Sequence, residues 1–212
     1  THKPDFICLQ KVRCDNGREQ FKIDGYSALF SPIDCGKNSG VMTYVKTPPN
    51  DNPTATPISI PQRIDSIELS EDGHLQILDC NSFFLINAYV PFSNTTLNGA
   101  IDVRKNWDKK FRQCVVELSS RKSVVICGDM NVVHTQKDTC EKRLSQNRGC
   151  FFEWERENFT ALLNEADLVD TFRYLHPDNQ AVSFYGNYRS AQIGNRIDYF
   201  IIRRFPAYLK AR

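Results

Sequence analysis

No stretch of the sequence approaches the ~18 consecutive apolar residues that a membrane-crossing helix needs,. No two of its eight cysteines form a C-x-x-C pair, and they are scattered from Cys8 to Cys150. That spacing excludes a zinc ribbon and a compact disulfide framework. Several of the cysteines sit inside apolar runs, where they read as small buried hydrophobes in a reducing compartment. Charge of one sign is also missing: 27 Lys and Arg face 25 Asp and Glu, a net +2. So small an excess does not announce a nucleic-acid partner, although it permits a basic rim around an acidic pocket. Only four histidines occur, His2, His74, His134 and His176. None has a catalytic motif around it, so they read as surface or packing residues. Five of the ten prolines crowd into residues 47–62, which makes that stretch a loop, since proline cannot donate to a sheet or sit inside a helix,.

What remains is ordinary for one folded domain: 41% apolar and 25% charged residues over a length able to bury a substantial core,. Residues 123–131, Ser-Val-Val-Ile-Cys-Gly-Asp-Met-Asn, organise it. Val124 to Cys127 is a short continuous apolar run, as a strand buried on both faces should be. Gly128 is expected to turn the backbone, bringing Asp129 and Asn131 out together at the carboxyl end of the strand. A carboxylate and an amide two residues apart suit a site that holds a hard cation or orients a water; the same pair can also simply cap a turn.

Strands are expected over 5–10, 26–30, 40–46, 64–69, 75–79, 83–90 and 196–202, with further short segments at 169–172 and 182–185. Helical spacing of Ile101, Trp107, Phe111, Cys114, Val115 and Leu118 predicts a helix over 101–122, with Arg104, Lys105, Lys109 and Lys110 outward. A second helix is expected over 152–165. Strands outnumber helices, so mixed sheets covered by helices fit best. Polar residues recur at strand ends: Tyr89 before Pro91, Asp129 and Asn131, and Asp198 inside Gly194-Asn195-Arg196-Ile197-Asp198-Tyr199-Phe200. The segment between Lys137 and Arg148 adds Lys142 and Arg143 and is expected to line the cleft rim.

These motifs, in order, resemble the exonuclease III-type AP endonucleases of the endonuclease/exonuclease/phosphatase superfamily, and the eukaryotic members most. The likeness is carried by Pro4-Asp5-Phe6-Ile7-Cys8-Leu9-Gln10, Ser39-Gly40-Val41, Asn87-Ala88-Tyr89-Val90-Pro91, Arg104 to Arg112, Arg121 to Asn131, Asp170-Thr171-Phe172-Arg173, and Tyr188-Arg189-Ser190 through Tyr199-Phe200. The resemblance implies an α/β fold, a four-layer sandwich of two β-sheets flanked by helices, forming a single domain over 1–212. It implies cleavage of DNA beside abasic sites and trimming of 3′ ends in base excision repair, with Mg²⁺ (Mn²⁺ in its place) as cofactor. It also implies an intracellular protein, nuclear or mitochondrial.

By position, Tyr89 matches the tyrosine that bonds the scissile phosphate, Asp129 the aspartate that activates the attacking water, and Asn131 the amide that positions it. Asp198 matches the aspartate paired with the family's catalytic histidine. Phe184 and Ile197 match the wall that receives a flipped sugar. Lys142, Arg143 and Arg148 would meet backbone phosphates, and Asp129 with Asn131 could reach a metal. Three departures stand out, the first at Asn195, where many eukaryotic members carry an aromatic residue that walls the pocket. Lys11 occupies the place of the family's metal-binding glutamate, and an ammonium repels a cation instead of ligating it. The family's opening strand and closing Ser-Asp-His motif have no counterpart between Thr1 and Arg212, so the chain reads as truncated at both ends. Three readings follow: a Mg²⁺-dependent nuclease, a degenerate member kept as a nucleic-acid-binding or assembly module, or another superfamily branch such as a DNase I-like nuclease or phosphoinositide phosphatase, against which the Arg196-Ile197-Asp198-Tyr199-Phe200 signature favours the repair branch.

Overall fold

Two parallel strands, β6 (Phe83–Tyr89) and β7 (Ser123–Asp129), form the centre of the molecule, joined by the 22-residue helix α1 (Ala100–Arg121). A computed structural model describes residues 3–12, 22–30, 40–47, 62–63, 74–142, 147–188 and 191–204. The remaining elements are β1 (Phe6–Val12), β2 (Tyr26–Phe30), β3 (Gly40–Lys46), β4 (Gln62–Arg63), β5 (Leu75–Asp79), α2 (Glu153–Glu165), β8 (Leu168–Asp170), α3 (Thr171–Leu175), β9 (Phe184–Tyr188), β10 (Ala191–Asn195) and β11 (Asp198–Arg203). They build a six-stranded sheet in the order β4-β5-β6-β7-β11-β8, a three-stranded sheet β1-β3-β2, and the hairpin β9-β10.

The alternation within β7 shows how the layers stack. Val124 and Ile126 point into the cluster shared with Trp107, Phe111, Val115 and Leu118 of α1 and Phe159 and Leu162 of α2. Cys127 and Val125 point the other way, into a smaller cluster with Leu85, Val45, Phe6 and Cys8 between the two sheets. A strand clad on both sides must read as continuously apolar, as this one does. Each fully buried Ile or Val here contributes roughly 1.5–3 kcal/mol. The order is therefore helices, large sheet, small sheet: a mixed α/β sandwich. Among the described residues no helix packs broadly on the outer face of the small sheet.

A polar joint crosses the mainly apolar seam between the sheets. Asn87 of β6 is 1% exposed, and its amide donates to the carbonyls of Met42 (3.0 Å) and Leu9 (3.3 Å) and to Thr43 Oγ1 (3.1 Å). Its carbonyl accepts from Gln10 Nε2 at 2.7 Å. A buried amide is tolerated only when satisfied, and here its partners pin the end of β1 over β6.

Four expectations need correction. Gly128 does not end the strand: β7 runs on through Asp129. Gly128 has φ +139°, and a Cβ there would lie 1.9 Å from the Ala88 carbonyl oxygen on β6. Close approach of two parallel strands, not a turn, demands glycine. Gly128→Ala is expected to destabilise by about 3 kcal/mol or more, summing backbone strain and overpacking, as read from thermal unfolding; an unchanged melting temperature would contradict this. Residues 169–172 are not one strand, because Asp170 caps a new helix, its carboxylate accepting from the Arg173 amide at 3.2 Å. A Thr-Phe pair reads as strand when the cap ahead of it is overlooked.

Arg104 does not face outward; it is 2% exposed beneath the site. The strand expected over 196–202 starts at Asp198, since Arg196 is drawn into a buried ion-pair network: Nε is 2.8 Å from Asp138 and Nη2 is 2.5 Å from Asp170. Strands β4 and β10 have no counterpart among the expected elements. The segment 64–69 lies outside the described residues. Of the cysteines, Cys114, Cys127 and Cys150 are buried as expected, while Cys140 is exposed.

Candidate functional site

The register of the large sheet sets three polar residues side by side. On parallel β6 and β7, Tyr89 is paired with Asp129; on antiparallel β11, Asp198 is paired with the same Asp129. All three therefore sit at one end of the sheet, the carboxyl end of its parallel pair, where α/β sheets place ligands. The backbone reinforces the link, with the Val90 amide donating to the Asp129 carbonyl at 2.9 Å. Asn131 follows with φ +45°, left-handed and unusual for a side-chain-bearing residue,. That turn lets its amide N–H donate back to Asp129 Oδ1 at 2.9 Å, while its side-chain Nδ2 donates to the Val90 carbonyl at 2.7 Å. Cys150, also left-handed at φ +70°, donates its thiol to Asn131 Oδ1 at 3.6 Å.

Arg104 of α1 fixes these two loops from below. Its guanidinium donates to the carbonyls of Pro91 (2.8 Å), Met130 (3.0 Å) and Asn131 (3.2 Å), and pairs with Asp108 at 2.8 Å. Glu155 of α2 lies 3.8 Å away, bonded to Ser93 and capping its own helix through the Phe152 amide. Burial raises the Glu155 and Asp108 carboxyls above the usual range against the pull of Arg104,. Nothing in the sequence marks Arg104 as part of the site, yet its position three residues before Trp107 and seven before Phe111 puts it on the apolar stripe of the helix.

Lys11 enters from the other sheet. Pairing of β1 with β3 slips between Leu9 and Val12, and Lys11 takes φ +57° there. Such strain in a non-glycine residue persists only where surroundings enforce it. Its ammonium lies 2.7 Å from Asp129 Oδ2, 5.2 Å from the Tyr89 ring centre and 5.8 Å from that of Phe184. Burial favours the neutral amine, but the contact with Asp129 and the charge of Asp198 outweigh it, so the Lys11 pKa is raised,. Burial likewise raises Tyr89, keeping its hydroxyl protonated as a donor. Burial, then the neighbouring Asp129 charge, raises Asp198, although the Ser183 hydroxyl donating at 2.6 Å works the other way.

The other candidate residues divide. Phe184 is 42% exposed beside Lys11, while Ile197 is buried with Val133, Cys150 and Phe151. Asn195 is buried too, its carbonyl accepting from Thr139 at 2.7 Å. Arg148 is half-buried, 3.4 Å from Glu141 and stacked over Phe151 at 4.2 Å; Lys142 is exposed; Arg143 lies outside the described residues. Lys137 is tied to Asp178 at 2.8 Å. Besides Arg104, two residues with no sequence signal belong to the site: Ser183, through Asp198, and His74, whose ring stacks on Tyr89 at 5.1 Å with Nδ1 2.5 Å from the Tyr89 carbonyl oxygen. Asp198 and Gln10 also border a groove of ≈ 820 Å³ along the seam between the sheets.

The model of the endonuclease/exonuclease/phosphatase family matches residues 1–210. The chain belongs to this family. Family relatives include an exodeoxyribonuclease of Bacillus subtilis, 30% identical over 93% of this chain and 76% of its own length. The DNA repair nuclease APEX1 of Danio rerio is 34% identical over 94% of this chain and 64% of its own length. Recombination repair protein 1 of Drosophila melanogaster is 32% identical over 94% of this chain, which spans 29% of that protein. In fold, this family member matches the AP endonuclease LMAP of Leishmania major with TM-score 0.75 at 23% identity, covering 94% of this chain and 70% of that one. It matches the 3′ phosphatase NExo from Neisseria, bound to a product DNA hairpin, with TM-score 0.74 at 19% identity, covering 94% and 76%.

The family resemblance implies Mg²⁺, and the side chains allow the fit to be tested. Mg²⁺ demands near-octahedral oxygen ligands at about 2.0–2.1 Å. Here an ammonium stands against Asp129 Oδ2 and Asn131 Oδ1 accepts from the Cys150 thiol, so the oxygens a cation would need are already engaged. Among the described residues no three His, Cys, Asp or Glu side chains converge as a metal site. These side chains do not fit Mg²⁺ or Mn²⁺.

Proposed function

We propose that this chain engages DNA phosphodiesters at abasic sites and 3′ ends, in base excision repair, through the cleft at Tyr89, Asp129 and Asp198. The observation that carries the reading is the shared register of those three residues on adjacent strands, with Asn131 folded back beside them. Relatives named as exodeoxyribonuclease and DNA repair nuclease support it. In this reading the protonated Tyr89 hydroxyl donates to a non-bridging phosphate oxygen. The second N–H of Asn131 Nδ2, left over from its bond to Val90, holds the phosphate or a water,. Exposed Phe184 stacks against an extruded sugar or end base,.

Hydrolysis needs more than a grip on phosphate. An in-line water must lose a proton, and Asp129 is the carboxylate placed for it. Both of its oxygens are engaged, Oδ1 by the Asn131 amide and Oδ2 by Lys11. The Lys11 ammonium stands where a water would have to reach Oδ2, which favours the second reading: a binding or assembly module of nuclear or mitochondrial DNA with attenuated cleavage. Titrating the protein into a labelled duplex carrying a tetrahydrofuran abasic analogue tests the first part. Tighter binding than to the intact duplex is expected; equal affinity would contradict abasic-site recognition.

The segment from Lys137 to Arg148 is the proposed phosphate rim. Replacing Lys142, Arg143 and Arg148 together by Ala is expected to flatten the slope of log K against log salt by roughly 0.9 for each phosphate no longer neutralised. An unchanged slope would make this segment a solvated loop.

A further inference from the structure

Lys11 is held as a positioned charge. Its backbone is bent into the left-handed region to aim it, its ammonium rests on Asp129 Oδ2 at 2.7 Å, and two aromatic faces flank it. The Asp129 side chain beneath is 3% exposed, whereas that of Lys11 is 47% exposed. The ion is therefore anchored on its inner side and open on its outer side. An ammonium carries three donors and no acceptor; Asp129 faces it on the inner side, and no other acceptor among the described residues pairs with it, so outward donors remain for a ligand entering from solvent,. The ligand this arrangement recognises is an anion with several acceptor oxygens, seated beside the Tyr89 hydroxyl. A lysine ammonium is a good point-charge partner for phosphate.

We propose that the Lys11 ammonium is a resident cation that binds a phosphate oxygen of nucleic acid directly, so that this cleft holds DNA without any divalent metal. The inference rests on reading the cleft as a DNA site, and it specifies how the phosphate is neutralised there. Negative charge from Asp129 and Asp198 would otherwise repel a phosphodiester entering between them. Lys11 cancels one of those charges from within the fold and presents the surplus donors outward. The aromatic faces of Tyr89 and Phe184 confine the ammonium by cation–π attraction without using its hydrogens.

The test is fluorescence anisotropy with a labelled duplex containing a tetrahydrofuran abasic analogue, in EDTA and in millimolar Mg²⁺ at matched ionic strength. The wild-type protein is expected to bind with the same affinity in both. Lys11→Met is expected to weaken binding in EDTA by about tenfold and to lower the salt slope by roughly 0.9, the signature of one phosphate left without its cation. Lys11→Gln should do the same, and Lys11→Arg should keep both affinity and slope. Lys11 is itself exposed but Asp129 beneath it is buried, so Lys11→Met is expected to melt below wild type, with Lys11→Arg and Lys11→Gln, which can still donate to that carboxylate, closer to it,. Affinities are compared at a temperature where every variant is folded. Wild-type binding only with Mg²⁺ would overturn the resident cation while leaving the DNA reading intact. A neutral variant with unchanged affinity or an unchanged slope would overturn it equally. No binding of wild type in either buffer would overturn the DNA reading itself, and this inference with it.

Discussion

Replacing Lys11 by Glu in the full-length protein is expected to create Mg²⁺ binding at millimolar concentration where the wild type shows none. The charge beside Asp129 falls by two units, from +1 to −1, and an acceptor-only group replaces a donor-only one. The introduced carboxylate would then stand beside Asp129, where the ammonium now lies at 2.7 Å, with Asp198 across the strand pair. Three converging carboxylates repel one another until a cation joins them. The variant should therefore be less stable than wild type without Mg²⁺ and regain stability with it, since a ligand that binds only the folded state raises its melting temperature. Calorimetric titration and thermal shift read this directly. Abasic-site incision should rise with Mg²⁺ from near background by on the order of a hundredfold, because a Lewis acid on phosphoryl oxygen contributes several kcal/mol to the barrier. Vigorous Mg²⁺-dependent incision by the wild type would show that Lys11 is tolerated and end the binding-module reading.

Arg104→Met is expected to be the most damaging single change in the site. The side chain is 2% exposed, and its removal strips hydrogen bonds from the carbonyls of Pro91, Met130 and Asn131. It also leaves Asp108 and Glu155 without their cation in an apolar setting. Breaking a buried ion pair by deleting one partner costs about 3–5 kcal/mol, which for a chain of this size lowers the melting temperature by roughly 10 °C. Both site loops hang from this one residue, so DNA affinity should fall with stability. Combining Arg104→Met with Asp108→Asn and Glu155→Gln should return part of the loss, since the stranded charges are then gone. A melting temperature unchanged by Arg104→Met would show that the loops hold their shape without it.

The centre of the large sheet and both long helices were legible because each presents an uninterrupted pattern: Val124 to Cys127 as a doubly clad strand, and Trp107, Phe111, Val115 and Leu118 as a helical stripe. Tyr89, Asp129 and Asp198 stood out because they close or open apolar runs. Their common register, which makes them neighbours, is a property of strand pairing that no local pattern encodes. Arg104 was misplaced for a related reason. A charged residue within a stripe is usually assigned to the exterior, and only the carbonyls of two distant loops explain its burial. The reach of Lys11 was expected from the family resemblance, which sets it at the place of the metal-binding glutamate, but the bend that aims it was not, since nothing in Lys-Val announces a left-handed backbone. Ser183 and His74 left no trace in sequence, because a hydroxyl beside a carboxylate and a ring on a tyrosine become partners only after the chain has folded.

In the proposed function, Tyr89, Asp129 and Asp198, with Asn131 and Lys11, form one phosphate-binding cleft. A crystal structure of the full-length protein with a duplex bearing a tetrahydrofuran abasic analogue, grown in EDTA, tests this most directly. A backbone phosphate is expected within hydrogen-bond distance of Lys11 Nζ and the Tyr89 hydroxyl, with Phe184 against the baseless sugar. DNA lying on another face of the molecule, with the Lys11–Asp129 pair open to solvent and no phosphate beside it, would contradict it.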